Sequence, residues 1–482
     1  LEVLAAQNVP AAAGGGPAGN ANGAAAAPAT PAERLAQLLN QANEHEQAGR
    51  LDMAEAVLGQ VLAEAPEQPG ALHMMGIVAF KKGRLAESAA LMERSIAGQA
   101  GNPIYHRNIC EVYRVLGRYD EAVAAGRRAI QLSPQDPHCY NNLGVTYYHR
   151  LDLAEAIDCA EKALKLDADF AGAHFGMAEA LLLRGDFARG WEQYEWRFKL
   201  GNAPKLMPPT DRPQWDGTPL KDGRLMLIAD QGYGDVIQFC RYIPWAAERC
   251  PDIALACSPE ILPVAEQQRG VGIAFDHWEK RPEFAAYCPL SGLPRLHGTR
   301  LDTIPAAIPY IHADPARTAA WADRLNALLP RGYRRIGVAW AGRPTHTNDR
   351  NRSTGLATFA PLSGLKRTAL VSLQKGPGQA QIGSYWGQAP LINLGPEIRD
   401  YADTMAILDN LDLVVTVDTS IGHLTGAMGR PVWIMLPFAP DWRWLLERSD
   451  SPWYPSARLF RQPAPGRWDP VVAAIAEELD AA

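Results

Sequence analysis

Residues 411–438 read LDLVVTVDTSIGHLTGAMGRPVWIMLPF, and the fold of the second half of the chain turns on them. Leu413–Val417 is apolar and β-branched without alternation, the pattern of a strand covered on both faces. Asp418, Thr419 and Ser420 then crowd the point where a helix begins, and Gly429 and Pro431 mark its end. The run VWIMLP supplies a second buried strand. A strand, a tight polar turn and a short helix leave backbone N–H groups and the positive end of a helix dipole facing outward. That arrangement suits a phosphate, and the stretch predicts a site for a nucleotide diphosphate.

Working outward, the same texture begins at Arg224. LMLIAD, IALACS, GIAF, RIGVAWAG, ALVSLQ, LVVTVD and VWIMLP are short apolar runs separated by helical patterns such as VIQFCRYIPWAAERC and WADRLNALLP. Strand–helix alternation implies parallel sheets with helices on both faces. Two such halves are expected, 221–330 and 331–482, meeting near residues 329–334. Before them, 201–220 is rich in Pro and Gly and reads as an ordered linker.

The front of the chain has another period. Gly49, Gly83, Gly117 and Gly185 are spaced by 34 or a multiple of it, with Leu151 in the missing place. Gly76, Cys110, Gly144 and Ala178 keep the same step. A period of 34 with this small-residue pattern is that of the tetratricopeptide repeat, a pair of helices per unit. Five units fill 33–200 and stack into a solenoid with a concave groove. The sixth position of each unit is Asn40, Met74, Asn108, Asn142 and Gly176. Amides there, Asn40, Asn108 and Asn142, are expected to bind the main chain of an extended peptide. Trp191, Tyr194, Trp196 and Phe198 do not suit a solvated cap and are expected to dock on the α/β part of the chain. Residues 1–32, rich in Ala, Gly, Pro and Asn, read as a disordered arm.

Composition narrows the function classes. The chain of 482 residues is 47% hydrophobic and 21% charged, with a net charge of -6, which gives no reason to expect nucleic acid or an anionic membrane as partner. Seven cysteines are scattered without a CxxC pair, as in a reducing compartment, and a cytoplasmic location is expected. No apolar run approaches the ~20 residues of a membrane span, and no secretory signal is visible.

The second motif is Gln231-Gly232-Tyr233-Gly234-Asp235, between a strand and a helix. Ile237 stands where a dinucleotide fingerprint needs its third glycine, so the loop is not that of an NAD site. It offers close backbone approach at Gly232 and Gly234 and one carboxylate, Asp235, in the position of a general base. Gln238, one position past Ile237, joins the substrate-facing set. Trp340 and Arg343 end another strand, and Arg343, Arg350 and Arg352 are spaced to meet an anion. Gln374 and Lys375 follow a further strand, where the lysine can neutralise a departing diphosphate. His423 lies in the first turn of the helix after Asp418. Trp442, Trp444, Trp453 and Tyr454 read as core. No Asp-x-Asp follows a strand in this part, so metal-independent chemistry and no cofactor are expected.

These residues resemble a known family. Gly232-x-Gly234-Asp235-Val236-Ile237 and the run from Asp418 to Pro431 are similar to the two signatures of heptosyltransferase-like GT-B glycosyltransferases. With the five repeats, the chain resembles bacterial tetratricopeptide-repeat glycosyltransferases, a group that includes flagellin-modifying enzymes. The resemblance implies an α/β GT-B pair of Rossmann-like domains behind an all-α solenoid, with acceptor bound by the first half and nucleotide sugar by the second. It implies Asp235 as base and Lys375 as the group aiding the leaving diphosphate. It implies Asp418, Thr419, Gly422, His423, Leu424 and Thr425 as the donor-holding segment, with Gln374 and Trp340 beside the nucleotide. The expected reaction is transfer of a sugar to a Ser or Thr hydroxyl of a protein, with flagellin one such acceptor. The alternatives are a lipopolysaccharide-type sugar transferase and a repeat-based adaptor without activity. The catalytic His of the O-linked N-acetylglucosamine transferases has no counterpart in the loop where Asp235 stands.

Overall fold

A computed structural model describes residues 30–201, 203 and 205–481. The expected arm lies, but for its last residues, outside the described residues. The first helix, Pro31–Gln47, starts under a capping box: Thr30 accepts from the Glu33 N–H, and the Glu33 carboxylate accepts from the Thr30 N–H at 2.7 Å. The described residues form two compact units, one of residues up to 177 with 199–202, the other of 178–198 and 203 onward.

The first unit is a run of helix pairs: Pro31–Gln47 with Leu51–Glu64, Pro69–Lys81 with Leu85–Gly98, Pro103–Val115 with Tyr119–Leu132, and Pro137–Arg150 with Leu153–Leu166. Pro at the first helical position recurs at Pro69, Pro103 and Pro137, each behind a side chain that caps the helix. The glycines of the 34-residue step turn the chain in the left-handed region, Gly49 at φ 72°, Gly83 at 79° and Gly117 at 75°. Leu151 takes the same turn at φ 67°, a conformation that costs an ordinary side chain roughly 1–2 kcal/mol. Gly76 is small for another reason: a Cβ there would meet Met92 Cγ at 2.8 Å, so the glycine lets the two helices of its pair close.

The expected amide ladder is corrected here. Asn108 and Asn142 are buried, while Asn40 is exposed. Asn108 Nδ2 lies 3.0 Å from His73 Nε2, and Asn142 Nδ2 donates to the Arg107 carbonyl at 3.4 Å. Each bond runs from the sixth position of one repeat to the fifth of the repeat before. The two amides therefore join neighbouring repeats and do not face a peptide.

The second unit holds two parallel sheets. The first has strands β1 (Leu225–Ile228), β2 (Ile253–Ala256), β3 (Val271–Phe275) and β4 (Ala286–Pro289), in the order β3-β2-β1-β4. The second has β5 (Arg334–Ala339), β6 (Thr368–Ser372), β7 (Leu391–Asn393), β8 (Leu413–Val417), β9 (Val432–Leu436) and β10 (Ala457–Arg461), in the order β10-β9-β8-β5-β6-β7. Counted within its half, the second order is 6-5-4-1-2-3, the doubly wound arrangement, and its direction of winding reverses between β5 and β8. The first sheet reverses between β1 and β4. Ligands of open parallel sheets bind outside the carboxyl ends of the strands at such a reversal. Asp418 follows β8, Trp340 follows β5 and the Gln231–Asp235 loop follows β1, so the motifs stand at these points.

The core of the second sheet joins Ile336, Val338, Leu370, Val415 and Val417 to Val472 and Ile475 of the helix Asp469–Ala481. The linker is ordered where it runs along β4: Trp215 N donates to Tyr287 O at 2.8 Å and Tyr287 N to Pro213 O at 3.1 Å. The helix Phe187–Tyr194 is built into this unit. Phe187 stacks on Trp453 at 5.9 Å, Trp191 meets Trp442 edge-on at 5.1 Å, and the Trp191 indole donates to Thr299 O at 3.1 Å.

Candidate functional site

The two sequence motifs touch. The helix Tyr233–Phe239 opens at Gly232, and the helix Ser420–Ala427 opens at Thr419. A Cβ on Gly234 would lie 2.8 Å from His423 Cδ2, so only glycine allows the two helices to approach this closely. His423 is buried. Its Nδ1 is 2.9 Å from the Tyr454 hydroxyl, its Nε2 is 3.9 Å from Asp418 Oδ1, and its ring lies against Trp444 at 5.2 Å. Burial, then the charge of Arg443, push its imidazole down to about 3, so it is neutral at ordinary pH. Burial, then Asp441, push the Asp418 carboxyl up to about 6, against the pull of Arg352, the Trp444 indole and Arg443.

Asp235 is half-buried at the first turn of its helix, and its Oδ1 accepts from Arg443 Nη2. Arg443 also donates through Nη1 to both oxygens of Asp441, at 2.8 and 3.0 Å, and through Nε to Gln238 Oε1. Burial works to raise the Asp441 carboxyl, but Arg443 outweighs it and holds the group below the usual range. Sequence reasoning missed Arg443 and Asp441. They stand in PDWRW, where the aromatics carried the reading, and nothing local links them to Asp235 some 200 residues earlier.

His346 was missed as well. It lies in the loop after β5, within electrostatic reach of Asp235, Asp441 and Arg352. Its Nδ1 accepts from the Asn348 N–H at 3.1 Å, which leaves any proton on the neutral ring at Nε2. Desolvation of the ring, then the charge of Arg352, lowers its pKa, against the pull of Asp441, Asp235 and Asp349. Arg343 sits 5.4 Å above the Tyr233 ring, so the basic loop of the second half does reach the glycine loop of the first. Gly342 lets this loop fold: a Cβ there would meet Arg352 Nη2 and Asp349 Oδ1, each at 2.6 Å.

Several expected contacts are corrected. Trp340 is fully buried in the core of the second sheet and packs there. Gln374 uses its whole amide on the backbone: Oε1 accepts from Trp340 N and Ala341 N, and Nε2 donates to Ala341 O and Lys375 O, all at 2.8–2.9 Å. It shapes the β5 and β6 loops and has no bonding capacity left for a nucleotide. Gly422 packs toward Ile434, Leu424 is fully buried, and the Thr425 hydroxyl donates to Ile421 O at 2.7 Å. Gln238 is fully buried beneath Arg443 and does not line the cleft. What faces out at the turn after β8 is the rim of Thr419, Ser420 and Ile421, with Asp418 just beneath. The Thr419 side chain makes no cap bond to the helix N–H groups. Lys375 is exposed at the carboxyl end of β6 with its ammonium on Ile398 O, and no bond joins it to Asp418 or His423 among the described residues.

The fold and the repeats make this a tetratricopeptide-repeat-containing protein in which an α/β unit follows the solenoid along the chain. Family models for the tetratricopeptide repeat match residues 39–103, 111–149 and 137–170. The chain is similar to Protein FlbA of Caulobacter vibrioides, 28% identical over 384 residues, covering 73% of this chain and 62% of that protein. That share is larger than the helix pairs occupy, so the likeness runs into the α/β unit. It is also similar to the Cell division cycle protein 16 homolog of Mus musculus, 34% identical over 24% of this chain and 20% of that one. The Hsp70-Hsp90 organizing protein of Triticum aestivum is 30% identical over 22% of this chain and 18% of its own. The chain spans less than two thirds of the length of each of these relatives. Among solved structures, MamA MSR-1 C2 is 24% identical with a TM-score of 0.30, covering 34% of this chain and 94% of that chain. No helix among the described residues is long and apolar enough to cross a membrane.

Proposed function

We propose that the chain is a glycosyltransferase that moves a sugar from a nucleotide-sugar donor to a protein hydroxyl. The observation that carries this reading is the contact of Gly234 with His423, which brings a carboxylate-bearing loop of one parallel sheet against the helix N-terminus of another. On this reading the donor diphosphate lies on the outward rim of Thr419 and Ser420, where backbone N–H groups and the helix dipole favour anionic oxygens. Asp235 takes the proton of an acceptor hydroxyl as its oxygen attacks the sugar carbon. Arg343, Arg352 and Lys375 are the cations that meet the charge growing on the diphosphate. The acceptor is a Ser or Thr of a protein brought by the repeats, with flagellin the acceptor that the family resemblance implies.

A thermal-shift screen of UDP-, GDP-, dTDP- and CMP-sugars tests the donor half. A selective stabilisation by one of them, lost in a Thr419→Arg variant, is expected. No stabilisation by any overturns the reading. The second reading, an adaptor without turnover, is favoured by the ion pair of Asp235 with Arg443, which occupies one oxygen of the base. Donor binding without transfer to any protein or glycan acceptor supports it.

A further inference from the structure

Arg443 is bonded through all three nitrogens of its guanidinium. Its guanidinium is buried, with side-chain exposure of 6%. It lies 4.2 Å from the Trp442 ring centroid, and its carbonyl accepts from the Trp453 indole at 2.8 Å. Each edge of the planar fork has its own anchor: Gln238 on Nε, Asp441 on Nη1 and Asp235 on Nη2. Gln238 and Asp235 belong to the first sheet's half, Asp441 and Arg443 to the second. Gln238 is itself fully buried and its Nε2 has no partner among the described residues, so its place is explained by the bond of Oε1 to Arg443.

A second link ties the turn that follows this helix to the second half. Arg241, also buried, donates from Nη2 to Trp453 O at 3.0 Å and to the Tyr310 hydroxyl at 3.2 Å, while the Tyr310 hydroxyl donates to Ile237 O at 3.0 Å. Asp235 therefore sits on a helix tied to the second half through Arg443 and, just past its end, through Arg241, and its carboxyl rotation is set by Arg443. Asp235 Oδ1 is taken. Oδ2 has no hydrogen-bond partner among the described residues.

We propose that Arg443 is the positioning residue for Asp235, holding Oδ1 so that Oδ2 faces the acceptor. This rests on the transferase reading and deepens it. In the step itself the acceptor O–H bond breaks and the proton passes to Asp235 Oδ2. The acceptor oxygen bonds to the anomeric carbon. The bond from that carbon to the diphosphate breaks, and its electron pair leaves with the nucleoside diphosphate. Arg443 touches neither substrate. Its rigid fork fixes the angle of the base, and its charge can do so only while the two halves are together. Lysine carries the charge without the fork and cannot hold three acceptors in one plane.

The test compares wild type with Arg443→Gln, Arg443→Lys and Gln238→Met, with the donor selected by the thermal-shift screen. Arg443→Gln is expected to lower kcat about 100-fold, as misplacement of a catalytic group does, with donor KM within about threefold. Arg443→Lys is expected to recover part of that loss. Gln238→Met removes one anchor in an apolar surrounding and is expected to lower kcat less, again without a change in KM. Melting temperatures and donor affinity of each variant give the control for folding. Wild-type kcat in a folded Arg443→Gln overturns the assignment. So does a loss that is equal in Gln and Lys variants, follows their melting temperatures and raises KM in step. Absence of transfer by the wild type instead overturns the transferase reading, and this assignment with it.

Discussion

Gly234→Ala isolates the contact on which the account depends. Gly234 lies inside the helix Tyr233–Phe239, where exchange of glycine for alanine ordinarily gains about 0.5–1 kcal/mol. Here the added Cβ would sit 2.8 Å from His423 Cδ2, closer than real Cβ contacts come. The imidazole has little room to retreat, since the Tyr454 hydroxyl is 2.9 Å from Nδ1 and the Trp444 ring lies 5.2 Å away on its face. Forcing an extra carbon into a packed core costs about 1–3 kcal/mol, and with the helix gain set against it the net loss is about 0–2.5 kcal/mol, toward the upper end where the ring cannot move. That loss corresponds to a fall in melting temperature of a few degrees for a unit of this size. Gly232→Ala is the control, because its Cβ would meet only Asp235 Oδ2, at 3.2 Å. Thermal denaturation with and without donor measures both. The Gly234 variant is expected to melt lower and to bind donor more weakly, and the Gly232 variant to stay close to wild type. A Gly234→Ala protein as stable as wild type, with unchanged donor binding, refutes the claim that the two motifs are in contact.

The other predictions concern protonation and the repeats. His423, lowered from 6.5 to about 3, lowers stability as pH falls through 6.5, because the unfolded chain takes the proton first. Asp418, raised from 3.8 to about 6, does the reverse: the native state is protonated first, and stability rises as pH falls from 6 toward 3.8. The two nearly cancel between about pH 4 and 6 in the wild type. Asp418→Asn is expected to expose the destabilising slope of His423 and His423→Gln the opposite slope, both read by urea denaturation at several pH values; parallel profiles in all three proteins count against the assignment. In the solenoid, Asn108→Ala leaves buried groups unpaired and is expected to cost about 1–3 kcal/mol, whereas the exposed Asn40→Ala is expected to change stability by less than about 0.5 kcal/mol. Equal effects of the two in denaturant titrations contradict the inter-repeat role of Asn108.

The parts legible in the sequence were those with a local signature. The 34-residue step appears as glycines in left-handed turns and as small residues under the partner helix. Buried strands such as Leu413–Val417 appear as unbroken β-branched runs. Strands β4, β7 and β10 carry no such signature, and their sequences show why. AYCP ends in proline, LIN has three residues, and ARLFR is an edge strand carrying two arginines. At the candidate site, the two loops were legible because glycine and a polar helix start mark them. The roles of Trp340, Gln374, Asn108 and Asn142 were misjudged because spacing places a residue at a strand end or on a helix but does not say which neighbour covers it. Arg443, Asp441 and His346 acquire meaning only when segments far apart in sequence are folded together.

The most direct test of the central claim is sugar transfer measured by intact mass. Wild type and Asp235→Asn are each mixed with the selected nucleotide sugar and a candidate acceptor protein. The wild type is expected to raise the acceptor mass by one sugar for each nucleoside diphosphate released. Asp235→Asn is expected to bind the donor as well as wild type and to transfer at least about 100-fold more slowly. Transfer by Asp235→Asn at the wild-type rate, or donor binding by the wild type with no mass added to any acceptor, contradicts the account.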